Sequence, residues 1–168
     1  MIPTSLLIRP YREADFPALV AVVEAAFAEY WGRSAPSAGA EHKTHDIVRA
    51  ELSEAAALVA ERKGALVGCV FYRPHGDAVY LDRLAVVPGH RRRGIASALV
   101  GAVEHSAQEQ GYARLILSVR LLLEHQQRFF RRLGFEFAAY GSHEGSNEPA
   151  YMKMVKTIAQ PVPPHSTG

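Results

Sequence analysis

The stretch richest in chemical possibility is LDRLAVVPGHRRRGIASALV, residues 81–100. A strand is predicted over 79–87, Pro88-Gly89 ends it, and a helix is predicted over 93–110. Ile95, Leu99 and Val103 stack at i, i+4 and i+8 along that helix, and Gly111 is its stop. The first turn of a helix has backbone N–H groups without intrahelical partners. Its dipole adds about half a positive charge there, so a phosphate is favoured. Gly94 lets an anion approach the backbone where a Cβ would stand, and Arg91, Arg92 and Arg93 offer charge-assisted contacts. A run of three arginines alone would read as solvated surface; in front of a helix it reads as a polyphosphate cradle.

Two nucleotide loops are excluded by the residues themselves. Gly89 and Gly94 have Walker A spacing, but Ile95 and Ala96 stand where lysine and a hydroxyl residue would hold phosphate and Mg²⁺. The G-x-G-x-x-G dinucleotide fingerprint is absent, as is its acidic residue about 20 positions on.

Arg91-Arg92-Arg93-Gly94-Ile95-Ala96 resembles the R/Q-x-x-G-x-G/A pyrophosphate loop of the GNAT superfamily of acyltransferases. The strand ending LAVVP before it, the helix ending FFRRLGF at 129–135 and the opening IRPYREADFPAL are similar to other parts of that family. The resemblance runs over about residues 5 to 156. It implies an N-acetyltransferase that moves the acetyl group of acetyl-CoA to a primary amine by direct attack in a ternary complex. It further implies that backbone groups of Leu84, Ala85 and Val86 pair with the pantetheine arm. The N–H groups from Arg92 through Gly94, Ile95, Ala96 and Ser97 would hold the pyrophosphate, with Arg91 heading the motif. An N–H near Val86 would stabilise the oxyanion.

At two places the chain departs from the family pattern. The proton-donating tyrosine of the family falls at Phe130, which has no proton to give, and the helix-start asparagine falls at Leu123. Gln126, four residues before Phe130, is a substitute carboxamide, and the two are expected to share the cofactor-binding side of that helix. An alkylammonium has a pKa near ~10, so a base or a desolvating pocket must produce the free amine. Asp82 is the candidate base, on the same strand face as Leu84 and Val86 by period-two alternation. Its alternative is a salt bridge with Arg83 or another cation. Tyr80, one step along that face, is a second candidate with packing as its alternative, and His143-Glu144 is either an acceptor-site edge or a polar turn. His42 and His45 lack a third ligand, so no metal is expected. Cys69, inside LVGCVFY, reads as a small core residue.

These residues need a frame. A strand at 5–11 and a helix capped by Asp15 open the chain, with Leu19, Val22, Val23, Ala26, Phe27 and Tyr30 on one face and Gly32 as stop. A loop at 33–40 and a helix at 41–55 follow, then strands at 57–61, 65–72 and 79–87. After the helix at 93–110 come a strand at 113–119, a helix at 124–133 and strands at 135–140 and 149–156. The order β-α-α-β-β-β-α-β-α-β-β predicts the α/β (α+β) class, a GNAT-like mixed central sheet with helices on both faces. Residues 1–159 are expected to form one domain, and 160–168, rich in proline, a disordered tail.

The chain has 168 residues, 48% hydrophobic and 21% charged, an ordinary globular mixture. A net charge of +2 gives no case for nucleic acid, and no apolar run reaches the ~20 residues of a membrane span. A single cysteine and the lack of a signal-like start favour a cytoplasmic setting. A homodimer is among the assemblies left open, as is the amine acceptor. A noncatalytic acyl-CoA-binding module, an enzyme using another acyl-CoA, and an arginine-based nucleic-acid binder are the competing readings.

Overall fold

The turn at Arg62-Lys63-Gly64 sets the first hairpin: Lys63 and Gly64 both have positive φ, 52° and 79°, as a two-residue turn between twisted strands demands. It joins β2 (Ala56–Arg62) to β3 (Ala65–His75), and β1 (Leu6–Pro10) pairs antiparallel with the other edge of β2. In this computed structural model residues 5–31 and 40–158 are described. The remaining elements are α1 (Phe16–Trp31), α2 (Ala40–Glu54), β4 (Ala78–Val86), α3 (Ile95–Glu109), β5 (Arg114–Arg120), α4 (Glu124–Arg132), β6 (Glu136–Gly141) and β7 (Tyr151–Thr157). This is the order predicted, within one to three residues at each boundary. The stop at Gly32, the loop after it and the tail at 160–168 lie outside the described residues.

The strands form one mixed sheet in the order β1-β2-β3-β4-β5-β7-β6. β4 and β5 pair in parallel, as the crossover through α3 requires. The chain divides into two compact units, Met1–Arg73 with Arg83–Val103, and Pro74–Asp82 with Glu104–Gly168.

In the first unit, α1 buries Leu19, Val22, Val23 and Ala26, and α2 adds Val48. They pack in one cluster with Val59, Cys69 and Phe71. Full burial of a Leu or Val side chain contributes about 1.5–3 kcal/mol. Period-two alternation turns Gly68 to the other face, where it meets α3. A Cβ on Gly68 would stand 3.1 Å from the Ala85 carbonyl oxygen and 3.2 Å from both Ile95 and Leu99. Glycine there lets β3, β4 and α3 come together. The expected face of α1 is thus buried, with Phe27 partly so; the side chain of Tyr30 lies outside the described ones.

Asp15 is not a simple cap of α1. It closes a short 3-10 turn, Glu13–Asp15, and accepts the Arg12 N–H at 2.8 Å. Its two oxygens also receive the Arg9 guanidinium at 2.8 and 2.9 Å. A bidentate guanidinium outcompetes the weaker helix-start contact for the same oxygens.

In the second unit, Leu115, Leu117 and Val119 of β5 and Met152 and Met154 of β7 are buried, as are Phe130 and Phe135. Antiparallel pairing of β5 with β7 runs from Arg114↔Thr157 to Arg120↔Tyr151. The loop-side residue Tyr151 lies over its register partner Gly141 and leaves no room there for a Cβ.

Candidate active site

Within the first unit, β4 runs out at Val86, a short 3-10 turn covers Pro88–His90, and α3 begins at Ile95. The first intrahelical bond is the Ala98 N–H to the Gly94 carbonyl at 3.0 Å. The N–H groups of Ile95, Ala96 and Ser97 therefore precede the helical ladder, available to a ligand. The loop contains two left-handed residues, Arg92 at φ 63° and Gly94 at φ 79°. A non-glycine residue at positive φ is uncommon. Arg92, Arg93 and Gly94 are exposed, while Ile95 is anchored in the core.

The edge of β4 is set by one hydrogen bond. The Val87 N–H donates to the Val67 carbonyl at 3.0 Å, so the backbone of Val87 is turned to β3. In an antiparallel pair the N–H and C=O of a residue share a side and alternate along the strand. Val86 and Leu84 consequently turn their backbone groups away from β3. Ala85 turns toward it, its carbonyl oxygen against Gly68. Of the three backbone positions expected to read a pantetheine arm, Leu84 and Val86 thus face the side away from β3, and Ala85 faces β3.

Arg91 differs from its two neighbours. Its Nε donates to the Val86 carbonyl at 3.2 Å and its Nη2 to the Ala26 carbonyl, on α1, at 2.9 Å. Arg83 is engaged with α2. It makes a side-on pair with Glu51, Nε to Oε2 at 2.9 Å and Nη2 to Oε1 at 2.6 Å, and its guanidinium lies 5.0 Å from the Phe27 ring centre.

A model of the acetyltransferase (GNAT) family matches residues 19–135. The chain belongs to that family. Mouse N-acetyltransferase family 8 member 3 is 34% identical over 99 residues, 54% of this chain and 44% of the relative. Human N-acetyltransferase 8 is 33% identical over 99 residues, again 54% of this chain and 44% of the relative. The chain thus spans less than half the length of these relatives. Among solved structures, the PaiA N-acetyltransferase of Thermoplasma acidophilum, in complex with coenzyme A, has a TM-score of 0.72 at 18% identity, covering 92% of this chain and 99% of its own. The ribosomal-protein-S18-alanine N-acetyltransferase of Escherichia coli has a TM-score of 0.73 at 17% identity, covering 94% and 96%. At such identities the shared property is the fold.

In the second unit, the GNAT helix α4 has Leu123 as its N-cap residue, with no side-chain cap. Phe130 is 7% exposed and packs edge-to-face on Phe129 and Phe135, centroids 5.1 and 5.7 Å apart. Gln126 is half-buried. The buried carboxamide is its neighbour Gln127, whose Nε2 donates to the Arg120 and Leu121 carbonyls at 3.2 and 3.1 Å. Sequence reasoning missed it, because a glutamine pair carries no sign of which member turns inward.

On β4, Asp82 is exposed and Tyr80 half-buried, on one strand face. The Tyr80 hydroxyl shares a 2.6 Å hydrogen bond with Ser118 of β5, a residue without any motif to mark it, and the His75 ring stands edge-on to Tyr80 at 5.9 Å. His143 lies 6.1 Å from the Tyr151 ring at the β6–β7 end. His45 stacks on Phe16, and the side chain of His42 lies outside the described ones. No group of metal-ligating side chains gathers among the described residues. Cys69 is fully buried, and burial pushes its thiol up to about 12, which removes it from nucleophilic chemistry at neutral pH. No described helix is long and apolar enough to cross a membrane.

Proposed function

We propose that this chain is an N-acetyltransferase carrying the acetyl group of acetyl-CoA to a primary amine by direct attack in a ternary complex. The observation that supports it best is the loop from Arg92 to Ser97, where exposed arginines and two left-handed residues lead into the first turn of α3, whose N–H groups precede the helical ladder. A pyrophosphate suits that donor set in charge. Arg92 and Arg93 add charge at its rim, Gly94 leaves the approach clear, and Ile95, Ala96 and Ser97 supply helix-start donors. Leu84 with its backbone groups and Val86 with its N–H, the Val86 carbonyl being held by Arg91, lie in strand spacing, the form in which the amides of a pantetheine arm are read.

The chemistry follows from the bond exchange. The amine must lose a proton; its nitrogen then attacks the acetyl carbon, a C–N bond forms, and the C–S bond breaks. Negative charge gathering on the acetyl oxygen is met by the Val86 N–H. Asp82, exposed on the strand face that also carries Tyr80, takes the amine proton. The departing thiolate, with a pKa of roughly 8.5 by analogy with cysteine, is a tolerable leaving group even without a donor at Phe130. The acceptor is a primary amine, and protein N-termini and small-molecule amines both suit this chemistry.

Phe130 favours a second reading, a noncatalytic acyl-CoA-binding module. The two separate by experiment. Acetyl-CoA is expected to raise the melting temperature under both, because a ligand that binds only the folded state stabilises it. Release of free CoA that depends on an added amine, across a panel of primary amines, is expected only of the enzyme. No thermal shift at millimolar acetyl-CoA would overturn both.

A further inference from the structure

The three arginines of the loop look equivalent in sequence and are not equivalent in the structure. Arg92 and Arg93 are exposed, whereas Arg91 is half-buried, with the Nε–Nη2 edge of its guanidinium donated to two main-chain carbonyls. One carbonyl, Ala26, belongs to α1, sixty-five residues away in sequence; the other, Val86, ends β4. A guanidinium side edge directed at carbonyl oxygens is turned from any anion that this same edge could hold. The contact with Val86 matters more than its distance of 3.2 Å suggests. Val86 is bracketed by it on one side and by the Val87 N–H to Val67 bond on the other. Both bonds fall on the one peptide unit that joins Val86 to Val87, one from each side, and together they hold the plane in which β4 ends.

We propose that Arg91 is a positioning residue, which orients the β4 backbone that reads the acyl arm and makes no phosphate contact of its own. The inference rests on the acetyl-CoA reading above and divides the loop by task. Arg92, Arg93 and the helix start take the pyrophosphate; Arg91 sets Leu84 and Val86. Only arginine offers two parallel donors in a rigid edge, so lysine keeps the charge and loses the function.

The test uses two probes, CoA and ADP, which share the pyrophosphate and differ in the pantetheine arm. Dissociation constants are measured by calorimetry for the native protein and for R91A, R91K, R92A and R93A, with a melting curve for each. The expected result is that R91A and R91K weaken CoA about tenfold, the scale of one charged hydrogen bond, and leave ADP within about twofold. R92A and R93A weaken both probes alike. Faster amide exchange at residues 84–87 in free R91K supports the same role without ligand, and unchanged exchange there overturns it. An equal loss of CoA and ADP affinity in R91A, or full rescue of CoA binding by R91K, would show a phosphate contact and overturn the proposal. So would a lowered melting temperature with the CoA-to-ADP ratio unchanged, the mark of a role confined to holding α1. A native protein that binds neither probe would instead overturn the acetyl-CoA reading, and this role with it.

Discussion

The Tyr80 hydroxyl and the Ser118 hydroxyl lie 2.6 Å apart, bridging β4 and β5 where their parallel pairing comes to its end. The register partner of Tyr80 is Ile116, and the last pair is Leu81↔Leu117. The tyrosine therefore leans forward by one dipeptide, over the point where the ladder of backbone bonds stops. The side-chain bond continues the pairing that the backbone gives up. In a double-mutant cycle, Tyr80→Phe and Ser118→Ala should show a coupling of about 0.5–1.5 kcal/mol by urea unfolding. Strict additivity of the two losses would mean that the bond contributes nothing in solution.

The Arg9–Asp15 pair predicts an acid-sensitive first unit. Hydrogen bonding from Arg9 lowers the Asp15 carboxyl to about 2, from an ordinary value near 3.8, and its side chain is 13% exposed. A carboxyl lowered on folding stabilises the native state above its unfolded pKa, and that contribution is lost as pH falls toward the folded value. The window is thus about pH 4 down to about pH 2, and the size at most about 2 kcal/mol. Asp15→Asn should be less stable than the native protein near pH 6 and converge with it near pH 2. A constant difference across that range in denaturant unfolding would assign the effect to packing.

Local pattern made the scaffold legible. The spacing of Leu19, Val22, Val23 and Ala26 predicts a buried helical face, Lys63-Gly64 predicts a hairpin, and the strand–arginine–glycine–helix run predicts the anion cradle; each depends on neighbours within a few residues. What stayed hidden depends on partners far along the chain. Arg91 with Ala26, Arg83 with Glu51, Arg9 with Asp15 and Tyr80 with Ser118 are polar matches that periodicity cannot announce. The seating of β7 between β5 and β6 is likewise a matter of topology, since two successive strands have the same pattern in either order. The strand–loop–helix run was therefore readable residue by residue, while the side-chain partners of Arg83 and Arg91 beside it were not.

Gln127 supplies a third prediction. It is 7% exposed, and its amide serves two carbonyls in the β5–α4 connection, a segment with no side-chain cap at the helix start. Replacing it by leucine keeps the volume and leaves the Arg120 and Leu121 carbonyls without that donor. A loss of about 0.5–1.5 kcal/mol is expected, with CoA affinity unchanged. Gln126→Leu, one position earlier, should cost less in the same unfolding assay; the reverse ranking would mean that the two carboxamides have been exchanged.

Asp82 is the residue on which the proposed proton transfer depends. It is exposed on β4, so removing its charge should not disturb the core. Asp82→Asn is expected to leave CoA affinity and melting temperature as they are and to lower turnover by about 10²–10⁴-fold, the usual contribution of a general base. Turnover within twofold of native would move the proton to Tyr80, to water or to the acceptor itself, and Tyr80→Phe in the same assay decides among these.

Gly94 gives the sharpest test of the cradle, because its two possible roles predict different things. A Cβ built on it meets nothing within 4 Å, so the fold itself has room for a side chain. Its φ of 79° still disfavours any L-residue, by roughly 1–2 kcal/mol. That cost is confined to an exposed loop, and Gly94→Val is expected to fold, with a melting temperature lowered by only a few degrees. CoA binding, in contrast, should be lost, because the space that the protein leaves empty is the space through which a phosphate reaches the backbone. Gly89 is the control. A Cβ there also meets nothing within 4 Å, and Gly89 is not among the positive-φ residues, so Gly89→Ala should change neither stability nor affinity. If Gly94→Val folds and binds CoA as the native protein does, the pyrophosphate lies elsewhere. If Gly94→Ala binds normally and only valine fails, the limit is the bulk of the side chain rather than its presence, and the anion sits further from Gly94 than from Ile95 and Ala96.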